Sequence, residues 1–266
     1  MQITLLGTGN ALVTECYNTC FILSDGDKNL LVDAGGGNGI LHQLRHAGFK
    51  LQDIQEIFVT HQHIDHLLGV IWLIRIMAQL MHRDNFPGDV NIYSHDEVIN
   101  LLEDITRKLL LPYQAAYLGQ RIHLITINDN ETRNIINHEI TFFDIHSART
   151  KQYGFTIRRE GENFLTCCGD EPCNADCESY ARNSEWLLHE AFCLYSQVDT
   201  FKPYEKHHST VKDAAMLAER LGVKNLLLYH TEDSNLENRK RLYTNEARKY
   251  FSGEIFIPDD LESFTL

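Results

Sequence analysis

The chain has 266 residues, 43% of them hydrophobic, with 16 glycines and 5 prolines, a composition that fits a globular protein with interior for one large domain or two small ones. Twenty-four Lys and Arg against 37 Asp and Glu leave a net charge of −13, which opposes broad binding of a polyanion, because affinity for a phosphate backbone needs a basic face. No apolar run approaches the roughly 20 residues that span a bilayer, residues 1–7 lack the charged segment and cleavage site of a secretory signal, and seven cysteines, an odd number, fit reduced thiols in a cytoplasmic setting.

In chain order, strand-like runs at 3–6, 19–23 and 29–32 lead to a helical pattern at 40–47 and a strand at 56–59. Asp33, at the end of the third run, reads as a strand-end support. The fourth runs directly into Thr60-His61-Gln62-His63-Ile64-Asp65-His66. Three imidazoles and a carboxylate make a poor core, because burying them unpaired is costly, and good ligands for first-row divalent ions. In an extended segment alternate side chains share a face, so His61, His63 and Asp65 are expected to point one way. A helix starting after Asp65 then turns His66 towards a second point. Such a loop suits a pair of ions but needs further His or Asp from elsewhere.

A helix over 67–81 follows, with Trp72, Ile76 and Leu80 read as core, then a strand at 90–93, a helix at 96–109 and a strand at 122–127. His95 sits in the cap region of that second helix. The polar stretch 128–134 predicts a surface loop. Strands at 139–145, 155–158, 163–167, 186–189 and 225–229 follow, with helices at 177–183, 211–221 and 236–250. The clearest helix is 211–221, whose apolar stripe is Ala214, Ala215, Leu217, Ala218 and Leu221 and whose stop is Gly222. Strands first in each half and helices after them predict mixed sheets with helices outside.

Four strand ends in the second half carry polar groups: His146, Asp170, His189-Glu190 and His230. Each alone reads equally as a strand-terminating residue. The need of the first cluster for partners is what favours them as site residues. Cys167, Cys168, Cys173 and Cys177 lie close together, and Cys16 and Cys20 near the start, without the repeated CxxC spacing of a zinc knuckle. Buried free thiols are the expectation.

The motifs Leu5-Leu6-Gly7-Thr8-Gly9, Leu30-Leu31-Val32-Asp33-Ala34-Gly35, His61-Gln62-His63-Ile64-Asp65-His66, Gly169-Asp170-Glu171-Pro172-Cys173, Leu188-His189-Glu190-Ala191-Phe192, His208-Ser209-Thr210 and Leu228-Tyr229-His230 span nearly the whole chain. In these the sequence resembles the metallo-β-lactamase superfamily and, within it, the ribonuclease Z-like branch. The resemblance implies an α/β (α+β) fold, a four-layer αββα sandwich forming a single domain over 1–266, with metals at one edge between the sheets. It implies that His61, His63 and His146 hold one ion, that Asp65, His66 and His230 hold the other, and that Asp170 bridges both. Zinc is the first choice, with manganese or iron(II) as alternatives. Asp65, Glu190 and His208 are the catalytic candidates. Glu190 and His208 match the pair that passes a proton to the leaving oxygen, the carboxylate fixing the imidazole tautomer and raising its pKa. His207 is a rival for His208.

The expected activity is hydrolysis of a phosphodiester, small or cyclic, by water activated between two divalent ions. Ribonuclease Z enzymes carry a tRNA-gripping arm between the third-motif histidine and the bridging aspartate. Here that interval is 24 positions (170 − 146), room for a hairpin only. The basic residues Arg149, Lys151, Arg158 and Arg159 within it read as a solvated strand edge in preference to a phosphate site. Alternatives are tRNA 3′ maturation with a reduced arm, hydrolysis of an ester, lactone or thioester on the same centre, and a metal-stabilised binding protein. No membrane partner is expected, RNA is disfavoured by the charge, and a homodimer is the assembly suggested by the relatives.

Overall fold

The computed structural model describes residues 1–266. The first half runs β1 (Gln2–Gly7), β2 (Cys20–Asp25), β3 (Lys28–Val32), α1 (Gly39–His46), β4 (Glu56–Phe58), α2 (Ile64–His82), β5 (Val90–Ser94), α3 (Asp96–Leu109), α4 (Pro112–Ala115) and β6 (Ile122–Thr126). The second half runs β7 (Thr132–Ile135), β8 (His138–Asp144), β9 (Tyr153–Arg159), β10 (Glu162–Cys167), α5 (Glu178–Ala181), β11 (Trp186–Glu190), α6 (Val198–Phe201), α7 (Val211–Leu221), β12 (Asn225–Tyr229), α8 (Leu236–Ala247), β13 (Glu254–Phe256) and β14 (Ser263–Thr265).

Two seven-stranded mixed sheets result, ordered β14-β1-β2-β3-β4-β5-β6 and β13-β12-β11-β10-β9-β8-β7. Side chains alternate along each strand, so every strand feeds two cores. Leu30 and Val32 of β3 face the second sheet while Leu31 faces α1 and α2. Leu227 and Tyr229 of β12 face the first sheet while Leu226 and Leu228 face α7. Between the sheets, Phe58 meets Phe142 at a ring separation of 4.8 Å and Phe155 at 5.8 Å. Truncating such a buried ring costs about 3–5 kcal/mol. Helices close both outer faces, which gives the four-layer αββα sandwich.

Several boundaries differ from the expectation. Residues 132–135, expected as surface loop, form β7, because a strand exposed at the sheet edge carries no apolar alternation to reveal it. The short β13 and β14 are new, each only three residues long. The helix expected at 177–183 shrinks to α5, and α8 ends at Ala247. More consequential is α2, which starts at Ile64 with His63 as its N-cap. Asp65 and His66 therefore sit in a helical first turn, and Asp65 does not share a strand face with His61 and His63. By length and composition α2 could cross a membrane, contrary to the reading that no run approaches this, yet most of it is buried beneath the first sheet.

One close approach seats α2. Gly69 donates its N–H to the Gly35 carbonyl at 2.8 Å, and Ala34 donates to the His66 carbonyl at 3.0 Å. A Cβ on Gly69 would collide with the Ala34 backbone. The missing carbon lets the first turns of α2 lie against the end of β3.

Candidate metal centre

The loop after β4 is pinned from below by Asp33, which follows β3 in the left-handed region (φ 55°). Its carboxylate accepts the Thr60 N–H and the Thr60 hydroxyl, both at 2.8 Å, and His66 Nδ1–H at 2.7 Å. Because the Thr60 hydroxyl donates to Asp33, it accepts from His61 Nδ1 at 2.9 Å. Both His61 and His66 are thereby held with Nε2 unprotonated and aimed at a common point, the tautomer a metal ligand needs. Asp33 is thus the strand-end support expected of it.

The other donors arrive from the second sheet. His230 follows β12 with φ 57°, and Asp170 follows β10 with its N–H held by the buried Gln152 side chain at 3.0 Å. Asp170 Oδ2 lies 3.5 Å from His61 Nε2 and 3.6 Å from the Nε2 atoms of His66 and His230. Asp65 Oδ2 lies 3.4 Å from His66 Nε2 and 3.7 Å from His230 Nε2. His66 Nε2, His230 Nε2 and Asp170 Oδ1 are buried with no hydrogen-bond partner. Buried polar atoms left unpaired are costly, and a cluster of them converging from three segments fits divalent cations.

The charges within the cluster agree. Burial would raise the Asp65 and Asp170 carboxyls, yet the surrounding imidazoles hold both well below the ordinary range. Burial pushes His61 down, while His66, despite burial, is pushed up by Asp65 and Asp33.

Of the candidates, His61, Asp65, His66, Asp170 and His230 come together, and His208 joins Asp170 and His230 at ligand spacing. His63 lies at the edge, its Nδ1 2.8 Å from His61 Nε2. His146 is not in the cluster. It is exposed, with φ 53°, and its backbone N–H is held by the Asp144 carboxylate at 2.8 Å. The rest of its loop is tied away from it: the Ser147 hydroxyl donates to Glu171 at 2.7 Å, and Arg149 donates to the Lys206 carbonyl at 2.9 Å.

Glu190 ends β11 fully buried, accepting the Ser209 N–H at 2.5 Å. Its Oε2 lies 3.6 Å from His208 Nδ1, and neither atom has another partner. His208 stacks on Phe192 at 4.9 Å and sits 5.0 Å from the His230 ring. Burial raises Glu190 well above the ordinary carboxyl value, and burial, then His230, lowers His208 to about 3. This reverses the expectation that the carboxylate raises the imidazole. In so dry a position desolvation is the leading cause of both shifts. His207 is exposed and faces no carboxylate of the centre, so the structure gives the pairing with Glu190 to His208.

A cavity of about 670 Å³ opens over the centre, walled by Leu12, Ile64 and Leu101 on one side and by Arg149, Lys206 and Phe192 on another. The four cations between the motifs therefore separate. Arg149 faces the cavity, Lys151 pairs with Asp96 at 2.6 Å, Arg158 is exposed on β9, and Arg159 lies over Phe164. Thr60, Gln152, Phe192 and Lys206 were not singled out from sequence. Thr60, directly before the first histidine at a strand end, carried the one usable signal.

Comparison with known proteins gives a consistent result. The family model described as Anti-Pycsar protein Apyc1 matches residues 1–249. Among curated relatives, a ribonuclease Z from Prochlorococcus marinus is 27% identical, covering 98% of each chain, and one from Archaeoglobus fulgidus is 25% identical, covering 97% of this chain and 95% of its own. Among solved structures, the metallo-β-lactamase fold protein YhfI from Bacillus subtilis aligns with a TM-score of 0.79 at 20% identity, over 99% of this chain and 98% of its own. A diphosphatase from the PhnP family aligns with a TM-score of 0.73 at 16% identity, over 99% and 97%. The fold is that of the metallo-β-lactamases, and the sequence is similar end to end to relatives named ribonuclease Z.

Proposed function

The chain belongs to the Anti-Pycsar protein Apyc1 family, and from that premise we propose that this metallo-hydrolase cleaves a small phosphodiester, linear or cyclic, with two divalent ions, zinc first among them. The observation that carries the reading is the converging set of orphaned donors beneath a small-molecule-sized cavity. Relatives named ribonuclease Z and diphosphatase both act on phosphorus esters or anhydrides, which supports phosphorus as the centre attacked. The interval between His146 and Asp170 holds only the β9–β10 hairpin, and with a net charge of −13 this supports a small substrate over a folded RNA. Seven free cysteines favour the reducing cytoplasm.

In this reading His61, His63 and His146 would hold one ion, Asp65, His66 and His230 the other, and Asp170 would serve both. Bound divalent ions supply positive charge to the attacked group and lower the pKa of water. The protein's own residues do the rest. Asp33 fixes the ligand tautomers, and Leu12, Ile64 and Leu101 give the cavity an apolar lip. Glu190 and His208, pushed apart in pKa, share one proton that rests on the carboxyl. Its transfer to His208 Nδ1 lets the opposite ring nitrogen protonate the leaving oxygen.

The test is metal analysis joined to a substrate panel. Turnover of bis(p-nitrophenyl) phosphate with zinc or manganese, abolished by a chelator, with near two metals per chain, is the expected result. No turnover of any phosphodiester, alongside turnover of a lactone or thioester, would move the reaction to carbon. The ribonuclease Z relatives, matching end to end, favour one second reading, tRNA 3′ processing without an arm, and cleavage of a precursor tRNA below its discriminator base would establish it. A homodimer is also proposed, supported by the apolar groove of Leu68 and Trp72 on α2 with Leu109 and Leu110 at the end of α3; Trp72, expected in the core, is exposed there. Light scattering at twice the 30.7 kDa chain mass is the expected result.

A further inference from the structure

The buried imidazoles of the centre are not all held alike. His61 has its Nδ1 fixed by Thr60, and His66 has its Nδ1 fixed by Asp33. His230 is also buried, yet neither of its ring nitrogens has a partner. No hydrogen bond on the ring sets its direction, so the backbone that carries it must. That backbone stands in the left-handed region, at φ 57°.

The pin lies at the next residue. Thr231 donates its N–H to the Thr8 carbonyl, and its own carbonyl accepts the Asn10 N–H, both at 3.0 Å. Against this bridge lies Arg239, near the start of α8 and only 3% exposed. One terminal nitrogen of its guanidinium donates to the Thr231 hydroxyl at 2.8 Å and to the Thr8 hydroxyl at 3.0 Å. The other donates to the Pro258 carbonyl at 2.7 Å and to the Asp259 carboxylate at 3.2 Å. The Thr8 hydroxyl donates in turn to Asp260 at 2.8 Å. One planar fork thus joins the residue after His230, the end of β1 and the C-terminal segment.

Burying a cation is costly, and here Arg239 Nε finds no partner at all. A buried charge of this kind adds little stability over an apolar side chain of its size. What the fork supplies, and an apolar chain could not, is a single arrangement of the segments it joins.

We infer that Arg239 is the positioning residue of His230, doing through the backbone what Asp33 does for His66 at the ring. The inference rests on the reading of His230 as a metal ligand and adds that its aim is set from α8 through Thr231. Asn10, held by the same bridge, lines the cavity, so the fork underlies part of that wall as well. Lysine in this place would keep the charge but has one nitrogen to do what two now do. Lys240, next on the helix, ties the same C-terminal segment through Asp259 and Glu262, with no hydrogen bond to Thr8 or Thr231. It is the natural control.

The experiment follows the histidine ring resonances of the full-length, metal-free protein and its zinc affinity in a chelator competition. The His230 signals are assigned by their loss in His230→Gln. Arg239→Lys and Thr231→Val are expected to shift the His230 signals while those of His61 stay. Both should weaken zinc binding by about 10–100-fold, the usual effect of losing a group that orients a metal ligand. Thr231→Ser keeps the hydroxyl and should restore both parent values, and Lys240→Met should leave both unchanged. Thr231→Val removes a single hydroxyl, so it reports even if Arg239→Lys fails to fold. Unmoved His230 signals, shifted signals with unchanged zinc affinity, or an equal loss of zinc in Lys240→Met would each overturn the assignment. A parent that binds no zinc would sink the metal reading instead, and the ring signals would still decide whether Arg239 aims His230.

Discussion

Two loops face each other across the candidate centre, and they are built oppositely. Thr60 to His66 is braced, with Thr60, His61, Asp65 and His66 buried: one carboxylate, Asp33, takes three hydrogen bonds from it and orients two imidazoles. Residues 146–151 lie largely at the surface, their contacts running to Glu171 and to the Lys206 carbonyl, next to the loop that carries His208. In the proposed reading metal affinity belongs to the braced side and turnover to the rim, where substrate would enter and protons would move.

The sharpest test of that division is His208→Ala. It should lower kcat by about 10²–10⁴-fold, the usual worth of a positioned general acid, while metal content by elemental analysis stays at the parent value. Loss of metal would make His208 a ligand and erase the contrast. Next comes Asp33→Ala. Removing this brace should weaken metal affinity by about 10–100-fold in a chelator competition, and unchanged affinity would show the loop holds its shape without it.

Glu190→Gln separates function from stability. The folded-state pKa of Glu190 lies well above its unfolded value of 4.5, so the folded protein binds the extra proton. Its contribution to stability is full below the unfolded value and is lost as pH rises through the folded one. Urea unfolding of the metal-free parent should therefore show this loss on going from acid to neutral pH, and the glutamine variant should lose less over the same range while turning over poorly. Identical pH dependence in the two would refute the buried-proton account.

The smallest effect belongs to His146→Ala. An exposed side chain without a brace should change the stability of the metal-free protein by no more than about 0.5 kcal/mol. Amide exchange across 146–151 should slow on adding zinc as the loop closes. Equal exchange with full metal content in the variant would remove His146 from the ligand set.

Much of this was legible in the sequence for a simple reason. Strands such as β3 and β12 are bounded by strong apolar runs, and the polar residues at their ends, Asp33 and His230, stand out against them. What escaped was what the third dimension decides. Residues 132–135 pair only because β8 lies alongside. The N-terminus of α2 falls at Ile64 because its first turn packs on the end of β3, which moved Asp65 from a strand face to a helix. The direction of the His208 shift depended on how completely the interior excludes water, which no spacing of residues encodes.

Gly69 carries no chemistry, yet it decides how near α2 comes to Ala34 and so where Asp65 and His66 stand. A descendant could keep every histidine and aspartate of the centre and still be inert through a single added methyl group four residues beyond Asp65. In sorting working relatives from silent ones, an alignment column with no donor atom becomes as diagnostic as the columns that have them.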